Sequence, residues 1–151
     1  MLPIFEAHLN LLEAQYNSIC QAIADLPPEA LDWSPGPGMN SMAILIAHIS
    51  GAMRYWIGDI AGNEPSDRNR EAEFETQRVD AAALVARLEA VLSHSRTVLE
   101  RLTLEDLDTK RLSPRHGEEY SVSWALLHAL EHTAGHVGHI QLTRQLWEQQ
   151  R

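Results

Sequence analysis

The sequence predicts an all-α protein, a four-helix bundle, on three observations. Four long stretches of the 151-residue chain carry apolar residues at three- and four-residue steps. Good N-cap residues, Asn40 or Ser41, Asp80 and Ser121, stand at the head of three of them. No stretch alternates as a half-buried strand requires, and no repeat or low-complexity tract interrupts the pattern.

The first helix is expected over residues 4–26, where Ile4, His8, Leu11, Leu12, Ile19, Ile23 and Leu26 share a face. Pro27, Pro28, Pro35 and Pro37 then exclude a helix interior, and Gly36 and Gly38 favour turns. The second helix follows Asn40 or Ser41 and covers "MAILIAHISGAMRYWIGDIAG", so nearly continuous in apolar character that it should be the most buried. Gly62 is its expected stop, and "NEPSDRNREAEFETQR" reads as a polar connection. The third helix starts after Asp80, with Leu84, Val85, Leu88, Val91, Leu92, Ser95, Val98, Leu99 and Leu102 in one stripe. The fourth follows Ser121 to about position 147. Trp124, Leu127, His128, Leu130, His132, Ala134, His136, His139, Ile140 and Leu146 are expected on its inward side. Two of the connections are too long for tight hairpins, so long crossovers are expected among the helices.

Composition bounds the rest. With 44% hydrophobic and 22% charged residues, the chain has enough apolar material for one core, and residues 1–151 are read as a single domain. A net charge of −9 without a Lys/Arg cluster argues against nucleic-acid binding and against an anionic membrane surface, since "RNREAEFETQR" interleaves acids with its arginines. The first apolar run contains Glu6 and Glu13 and no basic leader, so neither a signal peptide nor a membrane span is expected. A lone Cys20 excludes an internal disulfide and fits a reducing, cytoplasmic setting, with the thiol as small apolar filler.

The stretch "HALEHTAGHVGH" places His128, His132, His136 and His139 on one face of the fourth helix. At about 100° per residue they fall within roughly 80° of one another. The four cannot share one ion, because the rise from His128 to His139 is about 16 Å. Neighbours at i and i+4 can, so His128/His132 and His132/His136 are candidate pairs, with His136/His139 at i+3. An open catalytic metal site uses three protein ligands, and the third must come from another helix. His48, in the middle of the most apolar helix, is the best candidate, because an unpartnered imidazole there is costly. His8 is next; His94 and His116 look peripheral. A single inward histidine is more often a hydrogen-bonded core residue than a ligand, and the four in register are what move the reading toward metal. The absence of H-E-x-x-H argues against a zincin-type protease.

Two stretches, "LDWSPGPGMNSMAILIAHISGAMRYWIGD" and "YSVSWALLHALEHTAGHVGHIQLTRQLW", resemble the second and last helices of the DinB-like superfamily, which groups DinB and YfiT-type proteins with thiol-dependent isomerases and transferases. The resemblance implies a four-helix bundle with an unusual helix order, commonly a homodimer. It also implies a metal triad of one His from the second helix and an H-x3-H pair from the last. The second member of that pair commonly opens an H-R-G-Q-like string, and "HVGH" stands in its place. The implied ligands are therefore His48, His132 and His136, around zinc or nickel, with positions left open for water or substrate. Val137 and His139 stand where the family often has Arg and Gln, so His139 is read as a fourth ligand, a partner of a ligand or a substrate contact. In the mycothiol-linked branch the first pair member is often Glu; here it is His132, beside Glu131.

Three neutral imidazoles leave a divalent ion strongly Lewis acidic, able to activate water or to hold a thiolate. The expected function is a metal-dependent thiol S-transferase or hydrolase acting on a small molecule or a low-molecular-weight thiol. The alternative is a non-catalytic, dimeric metal- or ligand-binding bundle in a stress response. Glu131, about 100° from either neighbouring residue around the helix, is expected to face solvent or an interface, so no general base is named. Trp33, Tyr55, Trp56, Trp124 and Trp147 are read as packing anchors, and Arg54 and Arg144 as uncommitted substrate contacts.

Overall fold

The computed structural model describes residues 1–150 and is predominantly helical. Its elements in chain order are α1 (Pro3–Ile23), α2 (Pro28–Asp32), α3 (Met42–Met53), α4 (Arg70–Phe74), α5 (Ala81–Arg101), β1 (Lys110–Ser113), β2 (Glu118–Ser121) and α6 (Val122–Gln149). The long helices start where capping chemistry allows. The side chains of Ser41, Asp80 and Ser121 accept from the backbone N–H groups of Ile44, Ala83 and Trp124. α1 opens instead with Pro3 in its first turn, where a missing N–H is harmless.

Side-chain contacts give the helix directions. Arg144 of α6 donates to the carbonyl oxygens of Gln21, Ala22 and Ala24, so α1 and α6 run parallel, with their C-terminal ends together. Arg96 pairs with Glu13, and Tyr16 donates to Glu89, so α5 runs antiparallel to α1. His48 meets His132 while Trp56 meets Trp124, so α3 is antiparallel to α6. A Cβ on Gly58 would lie 2.9 Å from His94 Nε2, and one on Gly62 3.0 Å from Val98, so α3 and its continuation run parallel to α5. The helices therefore form a ring, α1–α6–α3–α5, in an up-down-down-up order. Joining parallel neighbours α3 and α5 requires a connection that returns along the bundle, and residues 62–80 make it.

Several features differ from the sequence reading. Two strands, unexpected from the pattern, pair antiparallel as a small hairpin with Lys110 opposite Ser121 and Ser113 opposite Glu118. Only four residues each, they are too short to show alternation, and Gly117 (φ 69°) closes their turn. The second helix does reach position 61, but Arg54–Ala61 winds as a π-helix. There Gly58 leaves room for the Arg54 guanidinium, which a Cβ would strike at 1.9 Å. Gly62 stays right-handed and Asn63 takes the left-handed turn (φ 53°). Short helices α2 and α4 occupy the two linkers read as irregular. In α1, Leu9 and Leu12 face inward while Ile4 and Leu11 are half-exposed, since adjacent apolar residues point about 100° apart and cannot all be buried.

The third-helix stripe is buried as read, at Leu84, Leu88, Val91, Ser95, Val98 and Leu99. On α6 the inward face is Val122, Ala125, Leu126, Ala129, Thr133, Val137, Ile140 and Thr143, whereas Trp124, Leu127, Ala134 and His139 are exposed. The histidines thus lie along the border of the core rather than at its centre. Among the described residues no helix is long and apolar enough to cross a membrane.

His8 belongs to this core. It is buried on α1, its Nε2 finds no hydrogen-bond partner, and burial lowers its pKa to about 4. The unfolded chain, at a usual value near 6.5, binds this proton first, so stability is complete above about pH 6.5 and is lost as pH falls toward 4. His8→Phe is expected to flatten stability between pH 6.5 and 4.5, recovering up to about 2–3 kcal/mol at the acid end. Urea midpoints of both proteins at pH 7.0, 5.5 and 4.5 check this, and parallel pH dependences would count against it.

Candidate functional site

The antiparallel packing of α3 on α6 sets His48 across from the H-x3-H pair. One ring nitrogen from each of His48, His132 and His136 lies within 4.8 Å of the other two. His48 Nε2 is 3.1 Å from His132 Nε2. Ring centroids are 4.9 Å apart for His48 and His132, 5.2 Å for His48 and His136, and 4.5 Å for His132 and His136. His48 is buried and the other two are half-buried.

Charge is suppressed on the α6 pair. Burial, then the neighbouring imidazoles, lowers the pKa of His132 to about 3, and burial followed by His48 and His139 lowers that of His136 to about 4. Both rings are therefore neutral at neutral pH, the state that offers a lone pair. The trio suits a divalent ion by this chemistry and by spacing. Nitrogens around a tetrahedral ion with bonds of about 2.0 Å stand roughly 3.3 Å apart, close to the 3.1 Å between His48 Nε2 and His132 Nε2.

The orientation of His48 is set from behind by a residue of the polar connection between α3 and α5. Glu73, only 2% exposed, lies 2.9 Å from His48 Nδ1 through Oε2. A carboxylate accepts, so Nδ1 carries the proton and Nε2 presents its lone pair toward His132 and His136. Arg68 grips the same carboxylate as a fork, Nε to Oε1 at 2.7 Å and a terminal nitrogen to Oε2 at 2.9 Å. Burial pushes the Glu73 carboxyl up, but the bonds from His48 and Arg68 outweigh it and leave the pKa lowered. Gly51 makes the arrangement possible, since a Cβ there would stand 1.9 Å from Glu73 Oε1. Position 73 sits in "REAEF", a run with other acids, so only its tertiary neighbours mark it out. Phe74 closes one side, its ring 5.0 Å from that of His48, with Arg70 stacked on its outer face.

The other histidines fall outside the trio. His139 is exposed and places Nδ1 3.3 Å from His136 Nδ1, a hydrogen-bond partner of that ring. His128 joins an aromatic wall, stacked on Trp124 at 4.6 Å and edge-on to Trp56 at 4.9 Å. His116 stacks on Trp56 and shares the Ser113 hydroxyl with Tyr55. His94 pairs with Glu64 at 3.2 Å, and His8 stays in the core. Tyr55 and Trp56 are buried, and Trp33 packs on Trp147, as packing anchors do. The two arginines read as uncommitted are engaged: Arg54 with Asp59 and the Glu64 carbonyl, Arg144 with the end of α1 and with Glu148. Glu131 faces solvent beside His128 Nδ1 at 3.5 Å.

Comparison with known proteins agrees with this architecture. A conserved protein from Enterococcus faecalis superposes with a TM-score of 0.76 at 14% identity, over 97% of this chain and 98% of its own. YfiT from Bacillus subtilis, described as a probable metal-dependent hydrolase with an unusual four-helix bundle topology, superposes at 0.77 with 16% identity, over 96% of this chain and 89% of its own. At such identities the likeness is one of fold. No curated protein matches in sequence. The sequence model of the mycothiol S-transferases matches residues 8–149, even though His132 stands where that branch often has Glu. That match runs across nearly the whole chain, and the chain belongs to the mycothiol S-transferase family.

Proposed function

We propose that this chain is a metal-dependent transferase or hydrolase in which His48, His132 and His136 hold a divalent ion, zinc or nickel, and that a low-molecular-weight thiol is its cosubstrate. The observation that carries the reading is the convergence of three ring nitrogens within 4.8 Å, one of them keyed by a buried carboxylate. The family match supports a thiol as the group transferred, and the YfiT likeness supports hydrolysis as the neighbouring chemistry.

When bound, such an ion supplies Lewis acidity that makes a thiol or a water acidic near neutral pH. The chain's own residues do the rest. His48, fixed by Glu73 and Arg68, cannot turn its Nε2 away without breaking a buried hydrogen bond. His132 and His136 stay neutral and so remain available as donors of lone pairs. Phe74 lies against His48 and the Trp56–Trp124–His128 wall flanks His132, while His139 on the other flank is exposed. Glu131 points away beside His128 and is not placed to move a proton at the trio.

Metal affinity measured on untagged protein tests the ligand set. His48→Ala is expected to lower it by more than about 100-fold, exceeding the roughly 10–100-fold expected for Glu73→Gln, which removes only the orienting charge. His116→Ala should leave affinity unchanged, and equal losses from His48→Ala and His116→Ala would refute the assignment. Far-ultraviolet circular dichroism of each variant separates lost ligation from lost folding.

Turnover is tested by loading the protein with Zn²⁺ or Ni²⁺ and following loss of bacillithiol, glutathione or mycothiol against a set of electrophiles, alongside ester and amide hydrolysis. Metal-dependent thiol consumption that His132→Ala abolishes is the expected result. Tight metal binding with no turnover across the panel would replace the catalytic reading with that of a binding module.

A further inference from the structure

Beyond the histidines, toward the C-terminal end of α6, lies a concavity that neither the ligand set nor the core accounts for. It is an open hollow of about 220 Å³, lined by the Gly38–Asn40 loop, Leu45, His136 and His139, and by Leu142, Thr143 and Leu146. It is continuous with the candidate site, because His136 belongs to both and Leu45 lies one turn before His48.

Its chemistry is apolar. Leu45, Leu142, Leu146 and Met39 supply most of the wall, and no charged side chain is among the lining residues. Met39 is 52% exposed and Leu142 51%, so two large apolar side chains rim a hollow in a chain of net charge −9. The rim is held in place. The Ser34 hydroxyl lies 2.6 Å from the Met39 carbonyl oxygen and 2.9 Å from that of Gly36. The Met39 N–H bonds the Gly36 carbonyl at 3.1 Å, and Gly38 takes the left-handed turn between them (φ 75°). A pocket whose loop is already ordered asks little conformational entropy of a ligand.

Size narrows the class. The volume falls below the roughly 300–1,000 Å³ of sites for drug-sized molecules. It suits a compact group rather than a whole drug-sized molecule.

We propose that this hollow is the binding site for a compact apolar group of the substrate, a short alkyl or benzyl-sized moiety, held with its reactive end toward His136 and His139. The proposal rests on the functional reading above for the reaction that follows, but the binding itself needs no metal. It makes Met39, Leu142 and Leu146 specificity-determining residues on the electrophile side.

The test uses the full chain, metal-free, with methyl groups followed by ¹H–¹³C correlation spectra during titration with benzyl alcohol, a neutral probe, and with glycerol as the polar counterpart. Saturable shifts at Met39, Leu45, Leu142 and Leu146, with none from glycerol, are expected. The Met39→Gln/Leu142→Gln variant changes two half-exposed positions and should bind the probe about fivefold or more weakly, with metal affinity unchanged. Shifts spread evenly over the surface, or equal probe affinity in the variant, would overturn the proposal. The experiment separates the two readings. His132→Ala should lose metal while keeping the probe shifts, so a failed metal titration counts against the ligand set and a failed probe titration against the pocket.

Discussion

A carboxylate that is only 2% exposed must find its donors inside the protein, and Glu73 organises the site around that requirement. Its two oxygens take the Arg68 fork and the Nδ1 proton of His48. Removing Arg68 would leave the buried carboxylate without its countercharge, a cost on the order of 3–5 kcal/mol. The same bonds tie the connecting segment to α3 and fix the tautomer of the imidazole that faces His132 and His136. Gly51 is the steric condition for all of it, since any side chain at that position occupies the space of the carboxylate.

The helix order and the site are one problem. Because α3 and α5 are parallel neighbours, the chain must return along the bundle between them, and residues 62–80 carry Arg68 and Glu73 past the middle of α3 on the way. A simple up-down bundle with short turns has no segment in that place. Antiparallel packing of α3 on α6 does the rest, matching the level of His48 to that of His132 and His136. The topology thus delivers the imidazoles from two helices and their support from a connection.

The site lies at the border of the core, and its two flanks differ. On one side Trp56, Trp124 and His128 pack ring against ring, with Tyr120 and His128 covering the faces of Trp124. On the other an apolar hollow opens beside His136. This border position reconciles two demands on the trio. Burial is deep enough to keep His132 and His136 neutral, yet both rings stay half-buried rather than sealed, so a small molecule has an approach.

Much was legible in the sequence by itself: the four helices from their apolar spacing, three of their starts from Ser41, Asp80 and Ser121, the line of histidines from four-residue steps, and, through resemblance, the grouping of His48 with His132 and His136. These are properties of one helix at a time, or of a motif, and local geometry carries them. Tertiary structure alone decided which face of α6 is buried, because an apolar or polar residue near the boundary becomes core only when a neighbour covers it. It alone found Glu73, one acid among several in a polar run, whose meaning comes from Arg68, His48 and the empty space at Gly51. It also decided that Arg54 and Arg144 serve the fold rather than a substrate, since an arginine's role is set by the acceptors within reach and those lie 4 to 123 residues away. The short hairpin and the hollow beside His136 escaped for the same reason: each arises from segments brought together in space, and no periodicity within a segment records that meeting.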